Sequence, residues 1–176
     1  MKKNLFQSEI KDSFFIGDKI AGTNLDVLIQ FKISHIINAA GNQIINIFES
    51  IDIQYLTLNW SENPNQILFD QNDEIVDKIL FFIKESLTKG EGLLIHSLKG
   101  KDRCCIVVII YLMKKYNWSV KKCIDFLKSK KEDVEIEPYF LEQLLSYEMR
   151  LSKITKIKST NWIEITCKDN DVTPPR

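Results

Sequence analysis

Residues 92–113 read GLLIHSLKGKDRCCIVVIIYLM. The stretch opens as a short apolar strand (Gly92 to His96), turns through a polar loop holding one glycine, and re-enters an apolar run at Cys104. A strand that ends in a Gly-containing loop and opens a helix is a phosphate-binding geometry. The loop amides converge on one point, and the helix N-terminus adds the positive end of its dipole. Gly100 can take a backbone conformation closed to other residues. Arg103, at the end of the loop, can hold an oxyanion through two parallel hydrogen bonds. The apolar run 104–113 is ten residues long. That is about half of what a bilayer span needs, so it is read as a buried helix.

Outward from this stretch the chain alternates strands and helices. Residues 14–17 read as a short strand, and 23–31 as an amphipathic helix with Thr23 as N-cap and Asp26 three residues on. Residues 35–38 and 54–58 read as buried strands. Residues 68–87 carry apolar side chains at helical spacing and end in Lys89-Gly90, a C-cap pattern. Residues 118–130 and 138–153 are two further helices, the second with Pro138 near its first turn. The expectation is one α/β domain, with a central, mostly parallel sheet of four or five strands flanked by helices. Residues 1–153 form the domain. Residues 154–176 are set apart as a C-terminal extension, in which NWIEIT (161–166) alternates like a strand. That strand could add to a partner's sheet edge or pack on its own domain.

Composition narrows the function. The chain has 176 residues, 24 Lys+Arg against 24 Asp+Glu, 44% apolar and 27% charged residues. A foldable domain fits those figures, and a zero balance argues against gripping a nucleic-acid backbone. The four cysteines, at 104, 105, 123 and 167, are too few and too uneven for a disulfide framework. No Cys-x-x-Cys pair or Cys/His cluster points to zinc. The start, MKKNLFQSEI, has no apolar h-region and is not read as a secretory signal. The expectation is a reducing, cytoplasmic setting, no cofactor, no metal and no membrane span.

The spacing His96-Ser97-Leu98-Lys99-Gly100-Lys101-Asp102-Arg103 resembles the signature loop of the cysteine-dependent dual-specificity protein phosphatases. Residues 14–40, FFIGDKIAGTNLDVLIQFKISHIINAA, are similar to that family's opening strand, helix and second strand. CIDFLKSKKEDVEIEPYFLEQLLSYEMRL (123–151) is similar to its two helices after the loop, including Pro-x-Phe-Leu-x-Gln-Leu at 138–144. The resemblance covers about residues 13–151. It implies that Ser97 to Arg103 cradle a phosphate group, that Arg103 binds it, and that His96 orients the loop. It also implies a nucleophile at position 97 and a general acid on the loop after the third strand, where the register places Glu62, with Asp70 as the weaker candidate. Lys99 and Lys101 resemble the lysines of phosphatases acting on phosphoinositides.

The sequence departs from that pattern at the residue that matters most. The family places a cysteine after the histidine, with its pKa lowered by the loop amides and helix dipole. Ser97 stands there, and a serine hydroxyl keeps its proton near neutral pH unless a base adjoins it. His96 precedes Ser97 on the strand, so its side chain faces the other way. After the arginine, where a Ser or Thr hydroxyl helps the leaving thiolate, stands Cys104. Two readings follow. The first is a pseudophosphatase that binds phosphate, a phosphorylated protein or a phosphoinositide, or serves as a component of a larger assembly. The second is an active protein phosphatase carrying a Cys-to-Ser substitution.

Overall fold

A computed structural model describes residues 8–11 and 13–155 of the chain. Five strands form one sheet: β1 (Ser8–Lys11), β2 (Phe14–Gly17), β3 (Ile33–Asn38), β4 (Gln54–Thr57) and β5 (Gly92–His96), in the order β1-β2-β5-β3-β4. Strands β2 to β5 run parallel, and β1 pairs antiparallel with β2 at the edge. The parallel part explains the sequence pattern. Strands covered on both faces read as continuous apolar runs, and every residue of β5, the central strand, is buried.

Two short helices, α1 (Lys19–Gly22) and α2 (Leu25–Gln30), cover one face. Their core joins Phe15, Val27, Leu28, Ile36 and Leu94. The other face carries α3 (Glu74–Lys89), α4 (Arg103–Tyr116), α5 (Val120–Lys130) and α6 (Pro138–Thr155) over the larger core. Helix α4 is buried from Arg103 to Met113, as its unbroken apolar run requires. Among the described residues, no helix is long and apolar enough to cross a membrane. No group of three or more metal-ligating side chains gathers there either.

Three expected helix starts are corrected. The helix expected over 23–31 begins at Leu25 and ends at Gln30, because Asn24 is the cap of α2: its Oδ1 accepts from the Val27 amide at 3.2 Å. Thr23 instead ends α1, donating its hydroxyl to Lys19 O at 2.9 Å. The helix expected from 68 begins at Glu74, since the Leu68 amide donates to the Gln143 side chain of α6. The helix expected from 118 begins at Val120, capped by Ser119. The expected Gly90 C-cap is present, with φ 69°. Strand β1 escaped the reading of the sequence. The strand expected at 161–166 and the extension beyond Thr155 lie outside the described residues.

Candidate anion site

The loop hangs from the C-terminal end of β5, in the middle of the sheet, and runs into α4. Ser97 N–H donates to Gly17 O at 3.4 Å, tying the loop's base to β2. Leu98 O accepts from the Lys19 amide of α1, and Lys101 O accepts from the Glu135 amide ahead of α6. The loop is thus held from outside by its carbonyls. Gly100 sits at φ 69°, a left-handed conformation that glycine takes without steric cost. None of the Leu98, Lys99, Gly100 and Lys101 amides donates to another group among the described residues. They are therefore free to meet an anion, together with the orphan amides of the first turn of α4.

Arg103 is fully buried, which for a charged side chain demands partners. Its Nη1 donates to Gln43 Oε1 and to Trp60 O, both at 2.8 Å. Its Nη2 donates to Glu62 Oε1, also at 2.8 Å. Glu62 Oε2 in turn lies 3.4 Å from Lys99 Nζ. The remaining guanidinium nitrogen, Nε, is buried without a partner. Such an unmet donor costs about 1–3 kcal/mol. A tetrahedral anion taken side-on by Nε and Nη2 would meet it.

The faces of β5 sort the neighbouring groups. Leu93 and Ile95 pack into the α3–α6 core and Leu94 into the α1–α2 core. Alternation then sends His96 toward α1 and Ser97 toward α4. His96 is buried against Gly22, and its Nδ1 finds no partner. Burial lowers its pKa to about 4, so the ring is neutral at physiological pH. It is no base for Ser97, which lies beside Cys104 instead. Cys104 is fully buried. Burial pushes its thiol up, but hydrogen bonds from Cys105 and Ser97 pull harder and leave it below its ordinary value. Cys105, 4.0 Å away sulfur to sulfur, is pushed well up by donating to Cys104 and by burial.

Asp102 completes the loop. It is 8% exposed, and neither oxygen makes a well-formed hydrogen bond. Burial raises its pKa to about 7; the nearby Glu137 amide pulls it down, while the Glu137 and Glu62 charges push it further up. Lys101 Nζ lies 4.0 Å from Asp133, with both side chains 41% exposed.

The structure therefore gathers Glu62, Lys99 and Arg103 into one ionic cluster. Asp70 does not join it. Its carboxylate accepts from the amides of Asn72, Glu74 and Ile75, at 3.0, 2.9 and 2.9 Å, and serves as the cap of α3. Gln43 and the Trp60 carbonyl were missed by the sequence reading, because nothing local marks a side chain or carbonyl that closes on an arginine 60 or 43 residues away.

Comparison with known proteins agrees with this geometry. Residues 14–150 match the family described as "Dual specificity phosphatase, catalytic domain". Dual specificity protein phosphatase 6 of Homo sapiens is 33% identical over 151 residues, covering 83% of this chain and 37% of the relative. MAP kinase phosphatase with leucine-rich repeats protein 3 of Dictyostelium discoideum is 30% identical over 156 residues, covering 88% of this chain and 18% of its own length. The chain thus spans well under half the length of these relatives. The crystal structure of human tyrosine phosphatase-like serine/threonine/tyrosine-interacting protein superposes with a TM-score of 0.71 at 25% identity, over 82% of this chain and 96% of that one. PTPMT1 in complex with PI(5)P shares the fold, with a TM-score of 0.65 at 16% identity, over 83% of this chain and 96% of that one. A family match spanning strands β2 to β5, the loop and the helices around them places this chain in the dual-specificity phosphatase family.

Proposed function

We propose that this chain is a catalytically impaired dual-specificity phosphatase domain that holds a phosphate group without cleaving it. One observation carries the reading. Arg103 is buried with Nε unmet beside a loop of free amides, while the nucleophile position holds a serine hydroxyl that His96 does not face. Binding needs only the donors, whereas phosphoryl transfer needs a thiolate or an activated hydroxyl. The loop then acts as an anchor for a phosphorylated protein, within a larger assembly or in transient contact.

Two features bear on the ligand. Human tyrosine phosphatase-like serine/threonine/tyrosine-interacting protein, by its name, is phosphatase-like and interacts, which supports the binding role. PTPMT1 was crystallised with PI(5)P, and together with the loop lysines this supports a phosphoinositide as the alternative ligand. Buried free thiols at 104, 105 and 123 suit a reducing, cytoplasmic setting. The competing reading is an active phosphatase bearing a Cys-to-Ser change at position 97.

Two measurements test the proposal. An aryl phosphate assay should give no turnover above a no-protein blank; turnover would overturn the inactive reading. Inorganic phosphate should raise the melting temperature of the full chain by mass action. Arg103→Ala should abolish that rise. No rise in the parent chain would leave the pocket vestigial.

A further inference from the structure

We propose that Glu62 is the specificity-determining residue of the anion site, a built-in competitor whose carboxylate occupies Arg103 and Lys99 until a phosphate group displaces it. The proposal rests on reading the loop as a phosphate site and adds what controls access to it. Family position suggests a proton donor at Glu62. The geometry gives it a different task, because a carboxylate bonded to Arg103 Nη2 at 2.8 Å and lying 3.4 Å from Lys99 Nζ is an acceptor on both oxygens.

The cluster leaves only one partner that can be exchanged. Arg103 Nη1 is pinned by Gln43 and the Trp60 carbonyl, so the guanidinium plane is fixed. The backbone around Glu62 is pinned as well. Asn42 Nδ2 donates to Asn59 O at 2.8 Å, and the Ser61 amide donates to Gln66 Oε1 at 2.8 Å. Beyond them the Leu68 amide is tied to Gln143. The Glu62 side chain, at 29% exposed, can swing into water while these bonds persist.

Phosphate needs that swing. Side-on binding uses Nε, which is unmet, and Nη2, which Glu62 holds. Two anions on one arginine also repel each other. Because Glu62 is attached to the site, it competes at an effective concentration of mM order or higher. A singly charged carboxylate from solution offers no more than Glu62 does and is excluded. A doubly charged phosphomonoester offers more charge and more acceptor oxygens, and its arrival also releases Lys99 toward the ligand.

The test uses the full chain with Glu62→Gln, which keeps size and removes charge, and with Glu62→Ala. Calorimetric titration with inorganic phosphate should show about tenfold tighter binding in Glu62→Gln, equivalent to about 1.4 kcal/mol. Acetate should compete with phosphate in the variant and not in the parent. In thermal melts the variants should start lower, since a buried guanidinium loses its counter-charge, and gain more from phosphate than the parent does. Unchanged or weaker phosphate binding in both variants overturns the competitor role and leaves Glu62 as a structural or proton-donating group. If Arg103-dependent phosphate binding is absent from parent and variants alike, the phosphate reading of the loop fails, and this proposal with it.

Discussion

Gly22 lies flat against the imidazole of His96: a Cβ built at Gly22 would stand 2.8 Å from the ring's Cγ, Cδ2 and Cε1. Nothing with a side chain fits there unless α1 or the ring gives way. The ring precedes Ser97, and the next residue of the loop accepts from the Lys19 amide of α1. Gly22→Ala should therefore act at two levels. Overpacking should cost about 1–3 kcal/mol in denaturant unfolding, and phosphate affinity should fall because the loop is displaced. Stability equal to that of the parent would show that α1 shifts freely and does not position the loop.

Asp70 offers a control on the site assignment. Three backbone amides converge on its carboxylate, and those at Ile75 and Glu74 chiefly hold its pKa below the ordinary value. Asp70→Ala should lower the melting temperature through loss of this cap. It should leave phosphate binding untouched. A loss of phosphate affinity comparable to that of Arg103→Ala would return Asp70 to the site.

Strands β2, β3 and β5 were legible because burial on both faces turns them into largely apolar runs, GLLIH being the clearest. Strand β4, expected as a buried strand over 54–58, is instead a half-exposed edge strand over 54–57. Strand β1 was not legible, since SEIK is polar and exists as a strand by pairing at the sheet edge with β2. The start of α3 was misread for a related reason. Leu68 has helical spacing with Ile75 and Ile79, but a Gln143 side chain from a distant helix takes its amide. At the site, the strand–loop–helix turn was readable from the residues, and Glu62 only through the family resemblance, which expects a general acid on its loop. The charge pairing of Glu62 with Arg103 and the clamp of Gln43 and Trp60 arise only when three loops meet.

The two titrating groups flanking Ser97 act on stability in opposite senses. Asp102 has its pKa raised from 3.8 to about 7, chiefly by burial, so the folded chain holds a proton that the unfolded chain has lost. Stability from this group is full below about 4 and falls as pH rises to about 7. His96 is lowered from 6.5 to about 4 by burial, so its contribution is lost as pH falls through that window. Above 6.5 only the Asp102 slope remains. Asp102→Asn, which cannot ionise, should melt close to the parent near pH 4 and increasingly above it as pH rises to 8. Melting curves across that range decide the matter, and a gap that does not widen with pH would mean that Asp102 is already ionised in the folded chain.

Ser97 and Cys104 stand in each other's places relative to the family pattern, and they remain in contact. On the proposed reading, Ser97→Cys alone should therefore not restore turnover. In Ser97→Cys the new thiol faces Cys104, whose thiol is itself held below its ordinary value, and each sulfur opposes ionisation of the other. The hydroxyl that should support the leaving thiolate is missing as well. The double variant Ser97→Cys/Cys104→Ser removes both faults. Its kcat on an aryl phosphate should exceed that of Ser97→Cys by on the order of 10²-fold, the usual effect of one donor aimed at developing charge. Vanadate should inhibit it. Equal, robust activity in the single variant would dismiss the Cys104 effect and favour an active enzyme altered only at position 97. Silence in both, with phosphate binding intact, would move the defect to the acid loop, where Glu62 is engaged as the partner of Arg103.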